Sequence, residues 1–96
     1  MYELDCRYDS RKSFYGKAIV TSQKMSDWRE INLYSYEVLV AKIIVTEKED
    51  KYICYGKYSQ TTTRHQKEFF KQNGLNDKQI KELFKNGTLI INKELF

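Results

Sequence analysis

The apolar pattern of this 96-residue chain changes period close to residue 60. Before that point, β-branched and aromatic residues gather in short runs parted by polar turns. After it, apolar residues recur at three- and four-residue spacings. Side chains alternate between faces along a strand and return to one face about every 3.6 residues along a helix. The switch therefore constrains the fold more than any single motif does.

In the first part, residues 2–8 alternate weakly, as an edge strand does, and residues 9–13 are turn-like. Residues 14–21 read as a strand with Gly16 at a bulge. Residues 22–30 are polar around Trp28 and read as a loop. Residues 31–35 and 36–46 are dense in strand formers and make either one bent strand or two. A charged turn over 47–50 leads to a strand over 51–58, so these last two strands form an antiparallel hairpin.

In the second part, Ser59, Gln60, Thr61 and Thr62 offer several N-caps. Thr62, Gln66, Phe69 and Asn73 then share one helical face, and Gly74 stands where a helix stops. Asn76 is an N-cap with Gln79 as its capping-box partner, and Leu75 and Ile80 are placed for a hydrophobic staple. Ile80, Leu83 and Phe84 form the buried stripe, and Gly87 ends the helix. These signals predict helices over about 60–73 and 77–86 and a short strand or tail over 88–96. Strands first and helices afterwards predict an α+β fold: an antiparallel sheet followed by a helical hairpin packed on one face. Proline, low-complexity segments and repeats are absent, so residues 1–96 read as a single domain.

Composition narrows the class. With 41% hydrophobic and 15% aromatic residues the chain is too apolar to be disordered, despite 31% charged residues. The net charge of +4 favours an acidic partner but falls short of a dedicated nucleic-acid binder. Cys6 and Cys54 belong to no CxxC, and His65 is the one histidine, so no zinc site is expected. The two cysteines read as reduced thiols of a cytoplasmic protein, bridged only if their strands are neighbours. Glu3 and Asp5 stand where a secretory leader would be basic and then apolar, and no stretch is long enough to span a membrane.

The motifs carry little chemistry. Cys54 and His65 could pair as nucleophile and base, but a lone helical histidine is usually a surface or boundary residue. The glycines form no phosphate loop. A catalytic set, a metal site and a cofactor are therefore not expected, and the chain reads as a non-enzyme. The hydroxyl run Ser59, Thr61 and Thr62 with Arg64 either holds an anion at a helix start or merely caps the helix. Arg64, Lys67 and Lys71 on the first helix, and Lys78, Lys81 and Lys85 on the second, form basic stripes diluted by Glu68 and Glu82. Such stripes either track phosphates or are solvated faces. Residues 11–17, with Arg11, Lys12, Tyr15 and Lys17, interleave bases with aromatics as single-strand binders do, or form a turn leading into a core strand.

Three blocks carry a resemblance. They are Tyr8-Asp9-Ser10-Arg11-Lys12-Ser13-Phe14-Tyr15-Gly16-Lys17-Ala18, then Leu33-Tyr34-Ser35-Tyr36 running into Val40-Ala41, then Tyr58-Ser59-Gln60-Thr61-Thr62-Thr63-Arg64-His65-Gln66-Lys67-Glu68-Phe69. In that order, over residues 2–74, they resemble a family of small uncharacterised proteins carried by phages, plasmids and genomes of low-GC Gram-positive and related bacteria. The resemblance implies a mobile genetic element acting in the cytoplasm of a bacterial host. It singles out Asp9, Arg11, Lys12, Tyr15, Gly16, Ser59, Thr61, Thr62, Arg64 and His65. The expected binding surface is a polar, basic corner made by the 11–17 turn and the first helix start. The expected function is to bind and block a host protein or nucleoprotein complex, as an anti-CRISPR or other anti-defence inhibitor does. The alternative is a small DNA- or RNA-binding protein of phage or plasmid replication or regulation. No membrane partner is expected.

Overall fold

The computed structural model describes residues 1–9, 13–56 and 59–93. Its elements are β1 (Tyr2–Glu3), β2 (Ala18–Lys24), β3 (Arg29–Ser35), β4 (Val38–Val45), β5 (Glu49–Cys54), α1 (Gln60–Gln72), α2 (Asp77–Asn86) and β6 (Thr88–Asn92). All six strands form one sheet in the order β1-β2-β3-β4-β5-β6, with every neighbouring pair antiparallel. The helical hairpin separates β5 from β6 in sequence only. Gly87 ends α2 in the left-handed conformation (φ 84°), and its carbonyl at once accepts from Cys54 N at 2.9 Å. The segment after α2 is thus a sixth strand, not a tail.

Four local expectations need correction. Residues 14–17 are a turn closed by Lys17 N donating to Phe14 O, not the start of a strand bulged at Gly16, and β2 begins only at Ala18. The polar stretch over 22–30 is mostly strand, because β2 runs to Lys24 and β3 begins at Arg29 around a turn closed by Met25 N donating to Trp28 O at 2.7 Å. Ser22, Gln23, Lys24 and Arg29 are exposed, so this end of the hairpin is wet on both faces and shows no apolar alternation. The weakly alternating N-terminus contributes only the two residues of β1. Strand β5 ends at Cys54, and Lys57 and Tyr58 lie outside the described residues.

One face of the sheet is covered. Ala18, Val20, Leu33, Ala41, Ile43, Tyr52 and Cys54 are buried and face each other in register across β2–β5. Phe69 and Phe70 of α1 and Ile80 and Leu83 of α2 pack on them. Between Leu33 and Tyr34 the register shifts, and Val40 is the extra residue in β4. The Val40 carbonyl still faces β5, where it accepts from Tyr55 N (3.1 Å) in continuation of the β4–β5 register, and it also accepts from Gln66 Nε2 (3.0 Å). The other face, with Ile19, Tyr34, Leu39, Ile44 and Ile53, is half-exposed and crossed by a Lys42–Glu30 ion pair at 2.9 Å. Lys42 holds the Glu30 carboxyl below its ordinary range, with help from the Trp28 indole.

Helix α1 is capped by the Ser59 side chain, which accepts from Thr62 N, and α2 by the complete Asn76–Gln79 capping box. Two substitutions separate core from cap. Leu83 is fully buried, so Leu83→Ala is expected to cost about 2–5 kcal/mol. Asn76→Ala is expected to cost about 1 kcal/mol. Urea unfolding of both variants checks the ranking.

Candidate functional site: a corner of two tyrosine turns

Two tight turns meet beside the start of α1. In the first, Lys17 N donates to Phe14 O at 3.0 Å, and Tyr15 (φ 52°) and Gly16 (φ 72°) are both left-handed. In the second, Ser35 and Val38 pair across a two-residue hairpin turn in which Tyr36 (φ 50°) and Glu37 (φ 70°) are left-handed. Such turns favour Asn-Gly, because a side chain at positive φ costs about 1 kcal/mol or more. Tyr36 N donates to Lys17 O at 2.9 Å and couples the two turns. Both tyrosines reach water, Tyr15 at 75% and Tyr36 at 50% exposure. Lys17 and Glu37 are exposed beside them. A depression of about 640 Å³ between the turns continues onto the open sheet face through Ile19 and Tyr34.

Beneath the turns a polar chain runs from exposed Ser59 into the core. Ser59 Oγ donates to Thr62 Oγ1 (3.3 Å), Thr62 Oγ1 hydrogen-bonds Ser35 Oγ (3.0 Å), and Ser35 Oγ hydrogen-bonds His65 Nδ1 (2.8 Å). Phe14 meets the His65 ring edge-on at 4.5 Å between centroids, and Tyr36 stacks on it at 5.8 Å. Helix α1 is thereby pinned to the end of β3, directly under the exposed turns.

The singled-out residues sort clearly. Tyr15, Gly16 and Lys17 stand exposed on the corner, and Ser59 caps the adjacent helix. Thr61 is half-buried in the first turn. Thr62 and His65 are corrections: at 5% and 0% exposure they face the sheet and cannot touch a partner. Their helical face is the one that α1 must bury, so their polar atoms are used inward. Arg64 pairs with Asp9 at 3.5 Å, and Lys71 pairs with Asp77 at 3.1 Å, which leaves Lys67 as the exposed cation of that stripe. Arg11 and Lys12 lie outside the described residues.

Two features were missed by sequence reasoning. Ser35 is a hydroxyl at a core position of β3, two residues after buried Leu33, and that placement was the available signal. Its bond to His65 has the length of a nucleophile–base pair, but Ser35 is 2% exposed and closed to substrate. Glu68 is not on a solvated face. It is 2% exposed, and its carboxylate accepts from the backbone N–H groups of Arg7 (3.2 Å), Tyr8 (2.9 Å) and Asp9 (2.9 Å), and from the Gln72 amide. Gln72 is a local donor four residues on, but the three N–H groups come from a segment distant in sequence, so no local pattern announced them.

The remaining nucleophile is poorly set for catalysis. Burial pushes the Cys54 thiol up to about 11, whereas a reactive cysteine needs a lowered value. Neither cysteine is disulfide-bonded. Among the described residues, no three His, Cys, Asp or Glu side chains gather as metal ligands, and no helix is long and apolar enough to cross a membrane.

Two measurements probe this interior. Glu68→Gln swaps an acceptor for a donor facing N–H groups and is expected to cost about 1.5–3 kcal/mol in urea unfolding. The native Cys54 thiol keeps its proton to a higher pH than the unfolded one, and burial raises Tyr52 likewise. Both contributions to stability are complete below the unfolded pKa values and decline as pH rises. Thermal unfolding is therefore expected to shift to lower temperature between about pH 9 and 11.

No curated protein and no solved structure matches the chain. One family model does, over residues 2–86, which takes in the corner, the polar chain and both helices. The chain therefore belongs to DUF8033, a family of unknown function.

Proposed function

We propose that this protein is a non-enzymatic binding module that acts by occupying the surface of a host protein or nucleoprotein complex, as an accessory of a mobile genetic element. The observation that carries this reading is the pair of coupled turns. Tyr15 and Tyr36 are held exposed in left-handed backbone, over a packed support that includes Phe14 and His65. Backbone strain persists where the surroundings over-determine it, and such positions concentrate at binding sites. Tyrosine is an interface-enriched side chain that loses little conformational freedom on binding. The resemblance to phage- and plasmid-borne proteins supplies the host context.

Charge arrangement supports a protein surface over a nucleic acid as the direct contact of this corner. Lys17 is flanked there by Glu37, and nearby Arg64 is already paired with Asp9. The nucleic-acid reading draws on a different place, the exposed Lys67, Lys78, Lys81 and Lys85 on the helices.

A tagged pull-down from bacterial host lysate, with and without nuclease, tests the proposal when run beside Tyr15→Ala. Tyr15 is the most exposed tyrosine among the described residues, so its replacement is expected to leave the fold intact. A captured protein that survives nuclease, and falls roughly tenfold or more in the variant, is the expected result. Recovery of nucleic acid alone, lost in high salt and indifferent to Tyr15→Ala, would overturn it.

A further inference from the structure

Strand β6 is the outer edge of the sheet, and the register shows which of its backbone groups are committed. Cys54 N donates to Gly87 O at 2.9 Å and Lys93 N to Lys48 O at 2.8 Å. With β5 and β6 in continuous register between those points, Gly87, Leu89, Ile91 and Lys93 occupy the hydrogen-bonded pairs. Thr88, Ile90 and Asn92 turn their N–H and C=O groups away from β5, where no strand among the described residues meets them.

The two edges of the sheet differ. Strand β1 has two residues, and very short strands are one way in which edges are blunted. Strand β6, Thr88-Leu89-Ile90-Ile91-Asn92, has no charge, no proline and no register shift. Ile90 is 52% exposed on the open face. Leu89 and Ile91, on the helix-covered face, are only half-buried.

We propose that β6 is a dimerisation edge that pairs with β6 of a second copy, antiparallel about a two-fold axis at Ile90. Ile90 exchanges both backbone hydrogen bonds with Ile90 of the partner subunit, and Thr88 pairs with Asn92 of the partner subunit. On the covered face, Leu89 lies opposite Ile91 of the partner subunit, so the two half-buried side chains cover one another.

Charge and spacing select a second copy as the occupant. An uncharged strand meets itself without like-charge repulsion, and the flanking Lys93 is neutralised by Asp50 at 2.8 Å. Helix α2 packs over β5 and β6. With strands about 4.8 Å apart, the two α2 helices come to about 10 Å, a normal helix-packing distance. A lone peptide strand would satisfy the same backbone groups but bring no helix to that flank. The dimer carries two tyrosine corners, and its failure would leave the binding role of each corner untouched.

Sedimentation equilibrium of the purified full chain, from about 1 μM to 1 mM, tests the proposal. The expected result is a concentration-dependent passage from 11.6 kDa to twice that mass. Ile90→Lys and Thr88→Lys, both at exposed positions, are expected to raise the dimer dissociation constant roughly tenfold or more with unchanged circular dichroism. Ile44→Lys, on the open face away from the edge, leaves it unchanged. A chain that stays monomeric to about 1 mM overturns the proposal. So does a dimer indifferent to both edge variants, or one lost in Ile44→Lys instead.

Discussion

Helix α1 is buried on more than one side, and each of the polar side chains His65, Gln66 and Glu68 that it carries inward is hydrogen-bonded there, with Gln66 Oε1 left unpartnered among the described residues. A buried carboxylate or amide without hydrogen bonds costs several times what a satisfied one contributes. His65, Gln66 and Glu68 are each at most 2% exposed, and they reach in three directions. His65 bonds Ser35 at the end of β3, and Gln66 bonds the carbonyl of Val40, the extra residue of β4. Glu68 gathers the N–H groups of Arg7, Tyr8 and Asp9. These bonds tie the helix to the end of β3, to the bulged residue of β4 and to the N-terminal segment that crosses it. Apolar packing of Phe69 and Phe70 supplies the bulk of the driving force, but it is not directional. Register comes from the polar bonds.

The corner follows from the same anchoring. Ser35, held by His65 and Thr62, is the last residue of β3, so the hairpin turn begins at a fixed point. Tyr36 and Glu37 then adopt positive φ in a turn where asparagine and glycine would be less strained. The Tyr36 ring lies on His65, and its N–H is taken by Lys17, so the cost of the turn is offset by contacts made in the same place. The neighbouring Phe14–Lys17 turn is anchored by Phe14, whose ring meets the same imidazole edge-on. A histidine closed to solvent thus supports two tyrosines that are open to it.

Much of the architecture was legible because it rests on local rules. The Asn76–Gln79 capping box, the Gly87 stop and the Ile80–Leu83 stripe each depend on residues within a turn or two of one another. The wet end of the β2–β3 hairpin was not legible as strand, since exposure on both faces erases the alternation that marks one. The candidate site was legible in part. The 11–17 segment and the helix start were recognisable as polar features that could share one corner, but which of their side chains point outward was not. Thr62 shares a helical face with Phe69, yet its hydroxyl read as a ligand for a partner, and His65 read as a surface or boundary residue; Ser35 opposite supplies the hydrogen bonds that let both be buried.

By itself the sequence determined the class of fold, the helices, the caps and the order of layers, because these follow from period and propensity over short distances. Tertiary structure alone decided that Glu68 is an interior anchor, that Val40 is a bulge, that Tyr36 stands beside Tyr15, and that β6 closes the sheet with an unguarded edge. Each of those facts joins residues far apart in the chain, and burial and hydrogen bonding between distant segments leave no periodic trace in either segment alone.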